Sequence, residues 1–166
     1  MNLFKKINEK KIIFFKFENF YYLIFIIIIF FTDRISKVKI INLLNENTYY
    51  VNDYINFDLI WNIGIGFGFL STESSLFYNA VTIFIGLVIL FLFNFLIISK
   101  KIDKLIYSII IGGALGNFYD RLTYKAVPDF IDFHYENFHW FTFNVADIFI
   151  TIGILIFIVR SFFIKN

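Results

Sequence analysis

Leu76 to Ile98 is a run of 23 residues without a charged side chain. As a helix it is about 34 Å long at 1.5 Å per residue, enough to cross the hydrocarbon core of a bilayer. The rest of the chain keeps the same balance. Hydrophobic residues make up 59% of the 166 and charged residues 17%, where about 25% charged is usual in soluble domains. A water-soluble chain of this size cannot hide so much apolar surface, so a membrane protein with several spans is expected. Cysteine is absent, which excludes disulfides, thiolate catalysis and Cys-based zinc or iron–sulfur sites. The two histidines, His134 and His139, are too few for a His-rich metal site and read as interfacial polar residues. A net charge of +2 is too small for a nucleic-acid footprint.

Three further spans follow the same logic. One covers about 105–122, with its first charge at Asp120, and another about 143–164, with Asn144 and Asp147 in its first turns. The first span is weaker. Phe20 to Thr32 gives only 13 uncharged residues, about 20 Å of helix. It crosses only if the helix runs on through Asp33, Arg34 and Lys37, giving a span of about 19–41. That places ionisable groups in the membrane, which is costly and marks function. Lysines 5, 6, 10, 11 and 16 precede this span, and Lys100, Lys101 and Lys104 lie between the second and third. Residues 42–75 hold no Lys or Arg. The positive-inside rule therefore puts both termini and the middle loop in the cytoplasm, and loops 42–75 and 123–142 outside. No small-x-small cleavage site follows the first apolar run, so it reads as an uncleaved span. One integral membrane domain over 1–166 is expected.

The outer loops carry their own patterns. Ile55, Phe57, Leu59 and Trp61 recur at a strand's period of two, predicting a short antiparallel element over 49–62 with these four on one face. The second loop is rich in aromatics from Phe130 to Phe141, which favour the membrane interface.

Polar groups in the spans gather at one depth, the outer ends. Asp33 and Lys37 are i, i+4 in the first span, Asn117 and Arg121 are i, i+4 in the third, and Asn144 and Asp147 are i, i+3 in the fourth. Asn62 and Asp129 flank those ends. Gly112 and Gly116 form a GxxxG pair that lets another helix approach closely. Asp120 reads as a helix-end ion pair with Arg121. Without Cys, and with no His placed beside a Ser, the acid–base groups available are carboxylates. Two carboxylates close together share one proton, so one can activate water while the other donates to a carbonyl oxygen. Asp147 pairs in reach with either Asp129 or Asp132, which chemistry alone does not separate. Asp33–Lys37 can be a bundle tether or a substrate contact. A transporter or channel subunit is the rival reading, but it favours charges at mid-depth in repeated halves, and no repeat is apparent. A scaffold without chemistry leaves the polar layer unexplained.

Five blocks in order carry a resemblance: Thr32-Asp33-Arg34-Ile35-Ser36-Lys37, Asn62-Ile63-Gly64-Ile65-Gly66-Phe67, the run from Gly112 to Arg121, Val127-Pro128-Asp129-Phe130-Ile131-Asp132-Phe133, and Phe143-Asn144-Val145-Ala146-Asp147. With them the chain resembles the bacterial lipoprotein signal peptidases (signal peptidase II) from Asp33 to Gly153. The resemblance implies an all-α membrane protein: a bundle of four transmembrane helices with a small extracytoplasmic β element and a short surface helix. It implies Asp129 and Asp147 as the catalytic pair of an aspartic endopeptidase. Asp33, Lys37, Asn62, Gly64, Asn117, Arg121 and Asn144 would line or brace the site. The implied partners are prolipoproteins carrying a diacylglyceryl-modified Cys, cleaved just before that Cys, and membrane lipids. No nucleic acid, cofactor or metal is implied, and the expected form is a monomer in the bacterial inner membrane with its site near the extracytoplasmic face. Ile65-Gly66 and the Phe141 that follows Trp140 depart from the family pattern.

Overall fold

The structure, a computed structural model, describes residues 17–44, 48–64 and 75–163. Four long helices and four strands alternate in blocks: α1 (Phe17–Leu44), β1 (Tyr49–Asn52), β2 (Ile55–Asn62), α2 (Ser75–Ile98), α3 (Lys101–Tyr124), β3 (Val127–Tyr135), β4 (Phe138–Phe143) and α4 (Val145–Phe163). Each helix contains one of the charge-free runs, and α1 and α3 extend well past theirs. α1 continues without a break through Asp33, Arg34 and Lys37 to Leu44, as a span of adequate length requires. Two helical segments, Leu76–Ile98 and Val145–Phe163, are long and apolar enough to cross a membrane. α1 and α3 carry ionisable side chains along their lengths.

Those side chains point inward. Asp33, Lys37, Ser108, Asp120 and Asn144 have no exposed surface, whereas Ile83, Phe84, Leu87, Leu90 and Phe91 of α2 are exposed. The bundle is thus apolar outside and partly polar inside, the reverse of a water-soluble domain. α3 is the central helix, in contact with α1, α2 and α4. Its glycines make those contacts close. A Cβ on Gly112 would stand 2.7 Å from the Ile29 Cβ of α1, and one on Gly113 would stand 2.6 Å from the Ala146 carbonyl oxygen of α4. The GxxxG expectation therefore holds with α1 as the partner, and Gly113 extends it to α4.

α3 ends at Lys125, whose φ of 58° is left-handed. That turns the chain at once into β3. The four strands form one antiparallel sheet in the order β1-β2-β3-β4. It sits on the bundle through Ile40, Leu44 and Phe130, with Phe57, Leu59, Ile131 and Val145 around them. The predicted element at 49–62 is the β1–β2 hairpin. Its two-faced pattern holds only in part: the register shifts between Phe57 and Ile60, after which Trp61 is exposed and Asn62 is buried. The aromatic loop 123–142 is likewise not a loop but the β3–β4 hairpin. Every helix among the described residues is long, so the expected short surface helix has no counterpart there. Residues 65–67, which carry the Ile65-Gly66 departure, lie outside the described residues.

Candidate active site

The site begins at the first turn of α4. Asn144 precedes the helix, and its Oδ1 accepts the backbone N–H of Asp147 at 3.1 Å. Asp147 reaches back, its Oδ2 accepting the Asn144 backbone N–H at 3.2 Å. This reciprocal pair is a capping box. It fixes one oxygen of Asp147 and leaves the Asn144 amide NH₂ free to turn toward the sheet. There it donates to Asp129 Oδ1 at 2.6 Å.

Two more asparagines complete the arrangement. Asn117 of α3 donates through Nδ2 to Asp147 Oδ1 at 2.8 Å. Asn62, at the end of β2, donates through Nδ2 to Asp129 Oδ2 at 2.8 Å. In each case the amide oxygen is held by a donor, so the NH₂ must face a carboxylate. Lys37 Nζ donates to Asn117 Oδ1 at 2.8 Å, and the Gly64 backbone N–H donates to Asn62 Oδ1 at 2.8 Å. Arg121 Nη2 in turn donates to the Gly64 carbonyl at 2.7 Å, tying that loop to α3. Every oxygen of both carboxylates thus accepts an N–H from an asparagine.

A buried ionic layer supports this cage. Lys37 Nζ lies 2.8 Å from Asp33 Oδ2 and 2.7 Å from Asp120 Oδ2. The second oxygen of Asp33 accepts the Ala146 backbone N–H at 2.9 Å, which holds the start of α4 against α1. Arg34 pairs with the second oxygen of Asp120. Arg34 and Asp120 are therefore the residues that sequence reasoning missed as part of the site's frame. Asp120 was expected to pair with its neighbour Arg121. Instead its ion pairs run across to α1, because successive residues on a helix point in different directions and cannot share a face.

Asp129 is 3% exposed, while Asp147 is half-buried. An apolar recess lined by Phe141, Phe143, Ile148, Thr151 and Ile152 opens on Asp147. Burial, and next the negative charge of Asp147, push the Asp129 carboxyl up to about 7, against the pull of the Asn62 and Asn144 donors. Two such neighbouring carboxyls titrate as one unit and share a proton. Asp132, the rival to Asp129, lies apart from the cage, its Oδ2 at 2.7 Å from His139 Nδ1. All nine residues expected at the site are brought into one network. Asp129 and Asp147 form its centre, and Asp33, Lys37, Asn62, Gly64, Asn117, Arg121 and Asn144 surround them.

An apolar exterior around two caged carboxylates defines a class: a membrane protein whose polar centre can run acid–base chemistry. The comparisons are more specific. Residues 25–163 match the family model for signal peptidase (SPase) II. The chain is 46% identical over 153 residues to the lipoprotein signal peptidase of Pelagibacter ubique, covering 90% of this chain and 92% of that one. It is 47% identical over 120 residues to the lipoprotein signal peptidase of Blochmanniella pennsylvanica, covering 68% and 71%. A bacterial membrane enzyme solved by the in meso method superposes with a TM-score of 0.72 at 27% identity, over 85% of this chain and 87% of that one. The chain belongs to the signal peptidase II family.

Proposed function

We propose that this protein is a membrane aspartic endopeptidase that removes the signal peptide from prolipoproteins, cutting just before the diacylglyceryl-modified Cys. Asp129 and Asp147 are its catalytic pair. The observation that carries this reading is the cage itself: two carboxylates at the junction of bundle and sheet, every oxygen held by an asparagine N–H. Such a cage positions the pair and leaves chemistry to a single shared proton.

A water between the two carboxylates loses a proton to the ionised one as its oxygen attacks the scissile carbonyl carbon. The protonated partner donates to the carbonyl oxygen, giving a neutral tetrahedral intermediate. Collapse of that intermediate breaks the C–N bond, re-forms the carbonyl, and passes a proton to the departing Cys amine. Burial and the charge of Asp147 raise the Asp129 carboxyl, so the pair keeps one shared proton between its two carboxyls. No metal is needed for any step.

The substrate's geometry suits the setting. The apolar recess beside Asp147 can take an apolar side chain or part of an acyl chain arriving sideways from the bilayer. The lysine distribution supports four spans with both termini cytoplasmic and the site near the extracytoplasmic face of the bacterial inner membrane. The whole chain acts as one membrane domain, and a single copy contains the complete cage.

The test is cleavage of a purified prolipoprotein by the purified chain, with the substrate either diacylated or left unmodified. Cleavage before the Cys of the diacylated form, with the unmodified form spared, is expected. Equal cleavage of both would remove lipid recognition from the account.

A further inference from the structure

The chain has two histidines and no cysteine, and both histidines converge on one carboxylate outside the aspartate cage. His134 on β3 and His139 on β4 are cross-strand partners, with their rings stacked at a centroid distance of 5.3 Å. Asp132 precedes His134 by two residues on the same strand. Asp132 Oδ2 lies 2.7 Å from His139 Nδ1 and 3.5 Å from His134 Nδ1. One ligand atom from each of the three lies within 4.8 Å of the others. Donors around a tetrahedral zinc-type ion stand about 3.3 Å apart at metal–ligand distances near 2.0–2.1 Å. The His139 side chain is 58% exposed, so its ring has room to turn toward His134.

An independent observation points to a ligand. His134 is 6% exposed, yet its Nδ1 has no hydrogen-bond partner among the described residues. A buried imidazole nitrogen without a partner is costly. A cation shared with Asp132 and His139 would satisfy it. An outer shell is within reach: the Asn56 side chain stands 3.5 Å from the other ring nitrogen of His134, Asn56 is paired with Asp132 across β2 and β3, and its amide oxygen, which has no partner among the described residues, would accept the N–H of a ligating His134 once the amide turns over. Ring-nitrogen partners of this kind fix the tautomer and aim of a ligating histidine.

We propose that Asp132, His134 and His139 form a binding site for one divalent first-row transition ion of the zinc class, with water completing its shell on the open side. Two imidazoles and one carboxylate match such an ion and disfavour Mg²⁺ and Ca²⁺, which take oxygen ligands. The ion would tie β3 to β4, the hairpin that runs from Asp129 to the residue before Asn144. Its role is to clamp that hairpin, and the site does not depend on the peptidase reading.

The experiment uses the full chain, purified in detergent without a histidine tag and stripped with a chelator, then titrated calorimetrically with Zn²⁺. One ion per chain is expected, together with a rise in the thermal midpoint. His139→Ala removes an exposed ligand and leaves the fold intact. It should weaken binding by more than the ~10–100-fold typical of an outer-shell loss. Asp53→Asn and Asp129→Asn should leave binding unchanged, and Mg²⁺ should not compete. Undiminished Zn²⁺ binding by His139→Ala, no binding by the native chain, or loss of binding in Asp129→Asn would each overturn the proposal.

Discussion

Asn62, Asn117 and Asn144 do the positioning at this site, because an amide whose oxygen is already held has only one way to direct its NH₂. Asn144 carries the most connections, since it caps α4 and also donates to Asp129. Asn144→Ala should therefore lower kcat by about 10²-fold, with little change in KM, as for loss of one preorganised donor. It should also cost about 1 kcal/mol of stability through the lost cap. Steady-state kinetics beside a thermal melt checks both. The proton balance makes a second prediction. Burial and the charge of Asp147 push the Asp129 carboxyl up to about 7, so the pair, titrating as a unit, loses its shared proton as pH rises through that region. The kcat/KM of the native enzyme should fall as pH rises through about 7. Asn62 donates to Asp129 and so favours its charged form. Asn62→Ala should then move the alkaline limb to higher pH, and a pH–rate profile showing a downward move would contradict the assignment.

Elements bring these residues together through close contact. A Cβ on Gly116 would lie 2.3 Å from Asp33 Oδ2, and that carboxylate holds both Lys37 and the first turn of α4. Gly116→Ala should destabilise the protein by about 1–3 kcal/mol, the usual range for overpacking, and should reduce activity as well. Gly86→Ala meets only the edge of the Phe118 ring at 3.2 Å and should be milder. Melting both variants in one detergent compares them directly. The helices and β1–β2 were legible in the sequence because each rests on local periodicity or on a charge-free run. The β3–β4 hairpin was not. Its apolar residues occupy both parities, Phe130 and Phe138 as well as Ile131, Phe133 and Tyr135, so no alternation stands out and the aromatics read as an interface loop. Cross-strand and cross-helix partners escaped for a related reason. Asp120 to Lys37 spans 83 residues, whereas Asp33–Lys37 lies within one turn and was anticipated. The convergence of His134 and His139 depends on strand register, which neighbouring residues do not reveal.

At the scale of the whole molecule the decisive feature is inversion: apolar side chains outward, ions inward. It accounts for why so many Ile, Phe and Leu residues are tolerated as exposed surface. The lysine distribution is the basis of the proposed orientation, with both termini cytoplasmic. Reporter fusions at Ser99 and at Tyr50 should report opposite sides of the membrane, with Ser99 cytoplasmic. A cytoplasmic Tyr50 would put the sheet and the carboxylate pair in the wrong compartment for a secreted substrate.

The most direct test of the central claim is the rate of diacylated prolipoprotein cleavage by Asp129→Asn, Asp147→Asn, the double variant and Asp132→Asn, each shown to be folded. Two groups acting as one unit lose most of their catalysis when either is removed. Each single variant of the pair should fall by at least about 10³-fold, and the double variant should be little worse. Asp132→Asn should keep most of its activity, because that carboxylate faces His139 rather than the cage. Near-native cleavage by Asp129→Asn, or a collapse of activity in Asp132→Asn alone, would contradict the account.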